Sequence, residues 1–487
     1  MRFRCSFVWA LACSACVFAW AAPAATTLTV NNAGDAGDGS CTTVCTLRDA
    51  IANVADGGTI DFDPSILPAT IPLQKYLSIE KSMRIEGPGA ATLTLSRGGA
   101  GRVLIVGAHL TILTVAIANL SLEDGTLAGQ NGPDAAAASG LSGGQGGGVA
   151  GGCVYIQGAT LTLQQVRMRN CVAQGGDGGM GGSGTTATGL GTGGTGGAGG
   201  PGGYAFGGAI YVADAADLVL VDTVIIDSHA IAGKGGAGGD GGNGLLRGIG
   251  GNGGKGADAA GGAIFFGGDA LTVTNSTIAR GTAKAGAGGN GGISDPGLVT
   301  VHGGAGGNGG AANGGLVRSV PVLGAPFANF DFTTFAEGDV TGGAPGGGGA
   351  AATPGAAGQA GSADGSALLP EKTVTIRSTA IVGSSSHDLC DPNVIADAGS
   401  SNLSQDASCG TNLHATLEAV FRPLAESAAL PTYMPLYASP VIDSAASCND
   451  SNLIPVPTDG VSTPRPQGAA CDIGAIEADY VFVNGFN

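Results

Sequence analysis

The phrase Gly207-Gly208-Ala209-Ile210-Tyr211, followed by Leu218-Val219-Leu220-Val221-Asp222-Thr223-Val224-Ile225, decides the fold because both halves recur. The first half returns as Gly151-Gly152-Cys153-Val154-Tyr155 and Gly261-Gly262-Ala263-Ile264-Phe265. The second returns as Leu161 to Met168 and Leu271 to Ile278, and also fits Val115 to Leu122 and Val374 to Ile381. Each copy is apolar at places one, three and eight, while place five holds Asn119, Gln165, Asp222, Asn275 or Ser378. Starts at 115, 161, 218, 271 and 374 lie 46, 57, 53 and 103 residues apart, so the last interval is expected to hide one degenerate copy. Alternation at places one and three is the period of a half-buried strand, and the polar fifth place marks a corner before the next strand. Strand, corner and strand, repeated at this period, predict an all-β parallel solenoid whose turns stack at about 4.8 Å around a continuous apolar column. The polar fifth places then form a ladder up one corner.

Between the repeats run tracts such as Gly175-Gly176-Asp177-Gly178-Gly179-Met180 and Gly235 to Gly244. They have no side chains with which to bury a core, so they are expected to project from one face as long Gly-rich insertions at about 129–151, 174–207, 233–261 and 285–368. Two states are open to them: mobile loops, or extended three-fold strands packed together. Asp177 and Asp240 within them bear a faint likeness to glycine-aspartate calcium repeats, but neither tract continues into the apolar strand that such repeats require. They are weak metal candidates, and no cofactor is expected.

Composition narrows the function. Of 487 residues, 94 are glycine and 22 proline, aromatic residues make up 5%, and the formal net charge is -17. With 20 scattered Lys and Arg there is no phosphate-binding surface, which excludes nucleic acid as a partner. Arg2 and Arg4, an apolar run from Phe7 to Trp20 and Ala21-Ala22-Pro23-Ala24 read as a secretory signal peptide over 1–24, and no later stretch is apolar enough for a transmembrane segment. A Sec-exported protein, secreted or held at a Gram-negative cell surface and monomeric, is expected. Beyond the leader remain Cys41, Cys45, Cys153, Cys171, Cys390, Cys409, Cys448 and Cys471. An even number in an exported chain favours disulfides; sequence neighbours suggest 41 with 45, 153 with 171, 390 with 409 and 448 with 471, among the 105 pairings that eight cysteines allow.

The two ends carry a family resemblance. Cys45-Thr46-Leu47-Arg48-Asp49-Ala50 with Gly57-Gly58-Thr59-Ile60-Asp61-Phe62 resembles the Cys-Ser-Leu-Arg-Glu-Ala (CSLREA) domain that precedes bacterial β-helix repeats. Ser439-Pro440-Val441-Ile442-Asp443, Pro464-Arg465-Pro466-Gln467-Gly468 and Cys471-Asp472-Ile473-Gly474-Ala475-Ile476-Glu477 resemble the choice-of-anchor Q domain. The resemblance implies an exported right-handed parallel β-helix of pectin-lyase-like architecture. Its layout would be a capping region over 25–75, a helix over 76–390, C-terminal coils with an anchor-like region over 391–480 and a short tail over 481–487. Leu47 to Val54 would form a short helix over the open end of the first coil, and Asp443, Arg465, Asp472 and Glu477 a buried ion cluster holding the last coil.

A resemblance of fold does not carry activity. An enzyme acting on a glycan needs carboxylates and a cation converging from adjacent coils. Repeat register places Glu123 beside Arg169, with Asp227 nearby, as the best such set. An acidic residue over an arginine on a surface is also an ordinary ion pair. Gly140-Leu141-Ser142-Gly143-Gly144 matches a nucleophile elbow, yet it lies in a glycine tract without the strand and helix that this chemistry needs. The expectation is therefore a non-catalytic exported β-helix that meets a cell-surface or extracellular glycan or protein through its loops and solenoid face, with a polysaccharide lyase or glycoside hydrolase as the alternative.

Overall fold

The computed structural model describes residues 26–478 except 108–111, 296–300, 321–326, 372–373, 384–386, 391–392 and 398–399. The expected leader at 1–24 and the tail at 481–487 lie outside the described residues. The chain is a right-handed parallel β-helix with three strands to a coil. One strand of each coil, such as Val154–Ile156 or Ile210–Val212, joins a 7-stranded sheet. The next, such as Ala159–Gln164 or Asp217–Val221, joins a 10-stranded sheet, and the third, such as Arg167–Gln174 or Val224–Ile231, a 13-stranded sheet. Every strand pair that joins successive coils is parallel, and the repeats stand in register, Val115 beside Leu161, Leu161 beside Leu218 and Leu218 beside Leu271. Leu161, Leu163, Leu218, Leu220, Leu271 and Val273 are wholly buried, so each coil stacks its aliphatic side chains on the last.

The fifth place is a left-handed corner. Asn119, Gln165, Asp222, Asn275 and Ser378 have φ between 47° and 57°, a region that asparagine and aspartate tolerate better than most residues. The degenerate copy is Ala328 to Phe335, which pairs with Leu271 below and, through Phe330 and Ile376, with the copy starting at Val374 above. Its fifth place is Phe332, also at a left-handed corner with φ 49°. The stretch 285–368 is therefore not a single insertion: a full coil, from Ala312–Asn313 through Asp339–Thr341, separates two glycine tracts.

Two features close the column. At the start, a helix α1 (Leu47–Asn53) is capped by Thr46, which accepts a hydrogen bond from the Asp49 backbone while the Asp49 side chain accepts from Thr46. Cys41 and Cys45 are joined just before it, and Arg48 grips Asp35. At the other end the chain turns back and runs along the outside as a strap. Residues 449–462 descend the left-handed corner: the Arg377 guanidinium donates to the Asn449 carbonyl, Ser451 donates to Asp331, Asn275 donates to the Thr458 carbonyl and Gln165 donates to Ser462. Disulfides join 153 with 171, 390 with 409 and 448 with 471, the last within the strap.

The glycine tracts are packed. Each insertion leaves the column, turns, and returns beside itself, giving five hairpins that stack with the coils into a two-layered slab. In the triplet Gly178-Gly179-Met180 the first N–H donates to Lys234 O in the next hairpin, in the same layer, at 2.8 Å. The second donates across to Gly144 O in the opposite layer, also at 2.8 Å. The third points outward and donates to Asp134 Oδ1 at 2.7 Å. The period of three is that of a polyproline II helix, which has no internal hydrogen bonds and so leaves its backbone free for neighbours. Glycine occupies the first two places because backbone from the adjoining tract fills the space of a side chain: a Cβ on Gly179 would stand 2.1 Å from Pro133 O.

Where a tract lacks an outer neighbour, side chains return. Gln130 and Pro133 in the first hairpin, and Pro345, Pro354, Ala357 and Ala360 in the last, occupy places held by glycine elsewhere, and all are exposed. The three prolines stand where an N–H would find no acceptor.

Candidate functional site

Three surfaces have the chemistry to act. On the 13-stranded sheet, Arg169 is the register partner of Glu123 on one side and Ile226 on the other, so the coils do bring the expected pair side by side. The ion pair forms differently. Glu123 takes Arg167 at 2.8 Å, and Asp227 takes Arg280 at 2.8 Å. Arg280 also reaches Glu426 of the C-terminal segment at 2.5 Å, and Arg167 donates to the Ala429 carbonyl at 3.4 Å. Glu337, one coil beyond Arg280, accepts from Tyr433, whose hydroxyl is held well above its usual pKa by burial and then by that carboxylate. A cleft of about 520 Å³ remains between them, lined by Arg280, Glu337, Phe421, Arg422, Glu426 and Tyr433. Asp227, Arg280 and Glu337 share a second left-handed column with Asp124 and Asn170, at φ between 52° and 56°. Sequence reasoning missed Arg280, Glu337 and Tyr433, because Arg280 and Glu337 follow the eight-residue template and Tyr433 belongs to no repeat.

Of the C-terminal cluster, Arg465, Asp472 and Glu477 are buried, but Asp443 is exposed, contrary to the expectation, because it stands at a surface turn, and the group does not sit on the last coil. Arg465 has no exposed side-chain surface; its guanidinium pairs with Glu477 at 2.8 Å, donates to the Asp472 and Gly474 carbonyls and lies 4.5 Å over the Phe332 ring. Asp443 accepts from the Ala470 N–H at 2.9 Å, and Asp472 accepts from the Asp443 and Ala478 N–H groups, each at 2.8 Å. Burial raises Asp472 to about 6. Burial likewise raises Asp222, hydrogen-bonded to Asn275, and Asp331, hydrogen-bonded to Ser451, to about 6. These three carboxyls lie where the strap meets the column or folds on itself.

On the 7-stranded sheet, Tyr155, Tyr211 and Phe265 stack at 5.4 and 5.2 Å, with Arg102 5.1 Å from the Tyr155 ring. Tyr155 and Tyr211 thus have both faces covered and offer ring edges to solvent. Tyr204 stacks on Phe206 at 4.8 Å, and its ring lies against Gly148, where a Cβ would come within 2.3 Å of it.

The slab is the third surface. Asp177 accepts from the Lys234 N–H at 2.8 Å and Asp240 from the Ile293 N–H at 2.9 Å. Asn131, Asp134, Asn252, Asp258, Asn290 and Asn308 do the same for the hairpin that follows each. The two aspartates weighed for calcium are therefore rungs of a side-chain ladder that satisfies outward N–H groups. Among the described residues, no three His, Cys, Asp or Glu side chains gather as a metal-binding group.

No protein-family model matches the chain, and no curated protein matches it. Solved structures that align with the chain include two of distant likeness. Pectate lyase Pel9A aligns over 93% of this chain and 97% of its own, at 11% identity and a TM-score of 0.31. The nine-helix polyproline type II bundle antifreeze protein of the springtail Granisotoma rainieri aligns over 49% of this chain and 96% of its own, at 22% identity and a TM-score of 0.11. Likenesses this distant say nothing of activity. The molecule is a disulfide-bonded parallel β-helix with a glycine slab on its side, and no helix among the described residues is long and apolar enough to cross a membrane.

Proposed function

We propose that this chain is an exported, non-catalytic β-helix protein that works by presenting a surface, meeting an extracellular or cell-surface partner through the slab that projects from its rigid column. One observation carries the reading: some 30 Å of backbone per tract, about 3.1 Å per residue over a ten-residue tract such as 175–184, is held in a fixed lattice that buries no core. Ordering so much glycine is costly, and its result is a stiff plate whose outer faces and far edge stand clear of the column. Four disulfides in a chain with a leader-like start support export. The enzymatic alternative asks Glu123, Arg169 and Asp227 to act on substrate, but Glu123 and Asp227 are each engaged by an arginine, and the C-terminal segment crosses the same sheet.

The test is turnover. The purified protein, with Glu123→Gln, Arg169→Ala and Asp227→Asn variants, is incubated with a panel of acidic and neutral polysaccharides, and new reducing ends and unsaturated products are measured. The expected result is no product from any of the four. Cleavage by the wild type that falls a hundredfold or more in one of the variants overturns the proposal.

A further inference from the structure

We infer that the far edge of the slab, where the hairpins turn, is a docking edge for a protein surface that offers an apolar groove bordered by lysine or arginine. This deepens the presenting role proposed above and rests on it. The observation is where the slab keeps its large aliphatic side chains. Along the tracts the outward places are mostly small, polar or charged, as at Asn131, Asp177, Lys234, Asn252, Lys255 and Asn308, with Met180 and Tyr204 as the large exposed exceptions. At the turns they change: Leu141 is 63% exposed, Leu190 85%, Ile249 and Ile293 45% each, and Leu245 and Leu246 38% each. Those six side chains come from the first four hairpins in succession. Neighbouring turns are tied to each other by backbone bonds, as in Leu245 N–H to Gly191 O at 3.0 Å and Ala187 N–H to Asn243 O at 2.7 Å. The turns are therefore held relative to one another, and six aliphatic groups gathered in water at one end of a plate whose body exposes only Met180 and Tyr204 among its described large apolar side chains mark an interaction site.

Its shape and charge select the partner. The turns described for the first three hairpins and the fifth, in a stack spaced about 4.8 Å per hairpin, span an edge about 20 Å long and two chains thick, which presents roughly 300 Å². Two copies meeting edge to edge would fall well short of the ~800 Å² per partner that a stable interface needs. A groove that takes in the edge and part of both faces reaches that area. Beside the aliphatic row lies a notch of about 360 Å³ lined by Ser183, Thr186, Asp240, Asn243, Ile293 and Asp295. Asp240 points into it with one oxygen bound to Ile293 N–H, and Asp295 is 63% exposed, 3.7 Å from Arg247. Two carboxylates against one guanidinium leave the notch negative, in a chain of net charge -17, so a basic rim on the partner is complementary. No aromatic side chain stands at the described turns, and the negative notch repels an anionic bilayer, which disfavours a lipid surface.

The test uses the full chain and a fluorescently labelled 14-residue peptide of alternating leucine and lysine. The matching leucine-glutamate peptide and phosphatidylcholine vesicles serve as competing ligands. The lysine peptide is expected to bind, in a salt-dependent manner, and the glutamate peptide and vesicles are not. Leu141→Ser combined with Leu190→Ser and Ile293→Ser is expected to weaken lysine-peptide binding tenfold or more. Asp240→Asn with Asp295→Asn, which keeps the Ile293 cap and leaves every aliphatic group in place, is expected to weaken it about threefold and flatten the salt dependence. Lys255→Ser, in the body of the slab, is expected to change nothing. Equal binding of the two peptides, no binding of either, or affinity untouched in both tip variants overturns the docking edge. Vesicle binding that is lost in the leucine variant replaces it with a lipid surface. Glycan turnover would instead remove the non-catalytic reading and leave the edge standing, because the turns lie about 30 Å from the sheet faces.

Discussion

At Gly239 a Cβ would stand 2.2 Å from Gly182 O, against backbone of the preceding hairpin in the same layer that has no room to withdraw. At Gly347, near the open edge, the nearest atom would be Asn290 Oδ1 at 3.4 Å, the tip of a side chain. Gly239→Ala is therefore expected to cost at least about 2–3 kcal/mol and to loosen the third hairpin. Gly347→Ala should be close to neutral. Amide hydrogen exchange checks the contrast: protection across 233–257 should fall in the first variant and hold in the second. The same reasoning separates what could be read from sequence at this scale from what could not. That Gly-Gly-x tracts build no core followed from their missing side chains. Whether they wave or pack was decided by backbone groups of one hairpin meeting those of another, contacts in which every partner is a peptide unit and no residue type gives a signal. Asp177 and Asp240 show the converse: the two carboxylates were visible in the tracts, but their use as N–H acceptors depends on the register of the next hairpin.

The strap is the element whose attachment depends on titration. Asp222, Asp331 and Asp472 all have carboxyls raised by burial to about 6, above the 3.8 of an exposed aspartate. The folded state then holds protons that the unfolded chain has released between about pH 4 and 6, so stability falls as pH rises through that window and stays lower at neutral pH. Arg377 and Asp450 beside Asp331, and Arg465 and Asp459 beside Asp222, modulate this without reversing it. Thermal melts should show a Tm several degrees higher at pH 5 than at pH 7.5, and Asp331→Asn with Asp222→Asn should shrink that difference by more than half. A Tm that climbs from pH 5 to pH 7.5 would contradict the assignment.

The strap also explains the repeat that was hard to find. Starts at 271, 328 and 374 divide the 103-residue interval into 57 and 46, yet Phe332 stands where the template expects a polar group. Arg465, from more than a hundred residues away, covers that ring. A strap without periodicity leaves no trace in the pattern it modifies, so the column was legible and its outer lacing was not. The α1 cap was legible through the resemblance carried by Cys45 to Ala50, and the Thr46–Asp49 capping box is what starts the helix there.

For the whole molecule, stacking has a direction. Each first-place N–H donates toward the next hairpin, so the last hairpin would present a row of donors to any further strand-like chain. Pro345 and Pro354 remove two of those donors and put rings in their place. Pro345→Gly with Pro354→Gly is expected to leave the monomer folded while promoting end-to-end association. Light scattering or sedimentation should show higher species growing with concentration, and a strictly monomeric variant would refute the role given to these rings. The candidate surfaces fall at this scale too. The Glu123 and Arg169 adjacency was readable because register is a property of the repeat, whereas the dominance of Arg167 was not, since two arginines two residues apart share a face and only the packed side chains choose between them.

The terminal hairpins carry these finishing residues, and the hairpins between them share one backbone lattice of Gly-Gly-x triplets. A gene that duplicated one middle coil together with its hairpin would lengthen column and plate in step, add one more pair of turns to the far rim, and leave both ends finished as before. Breadth of contact can thus be set by copy number, without inventing a new binding residue.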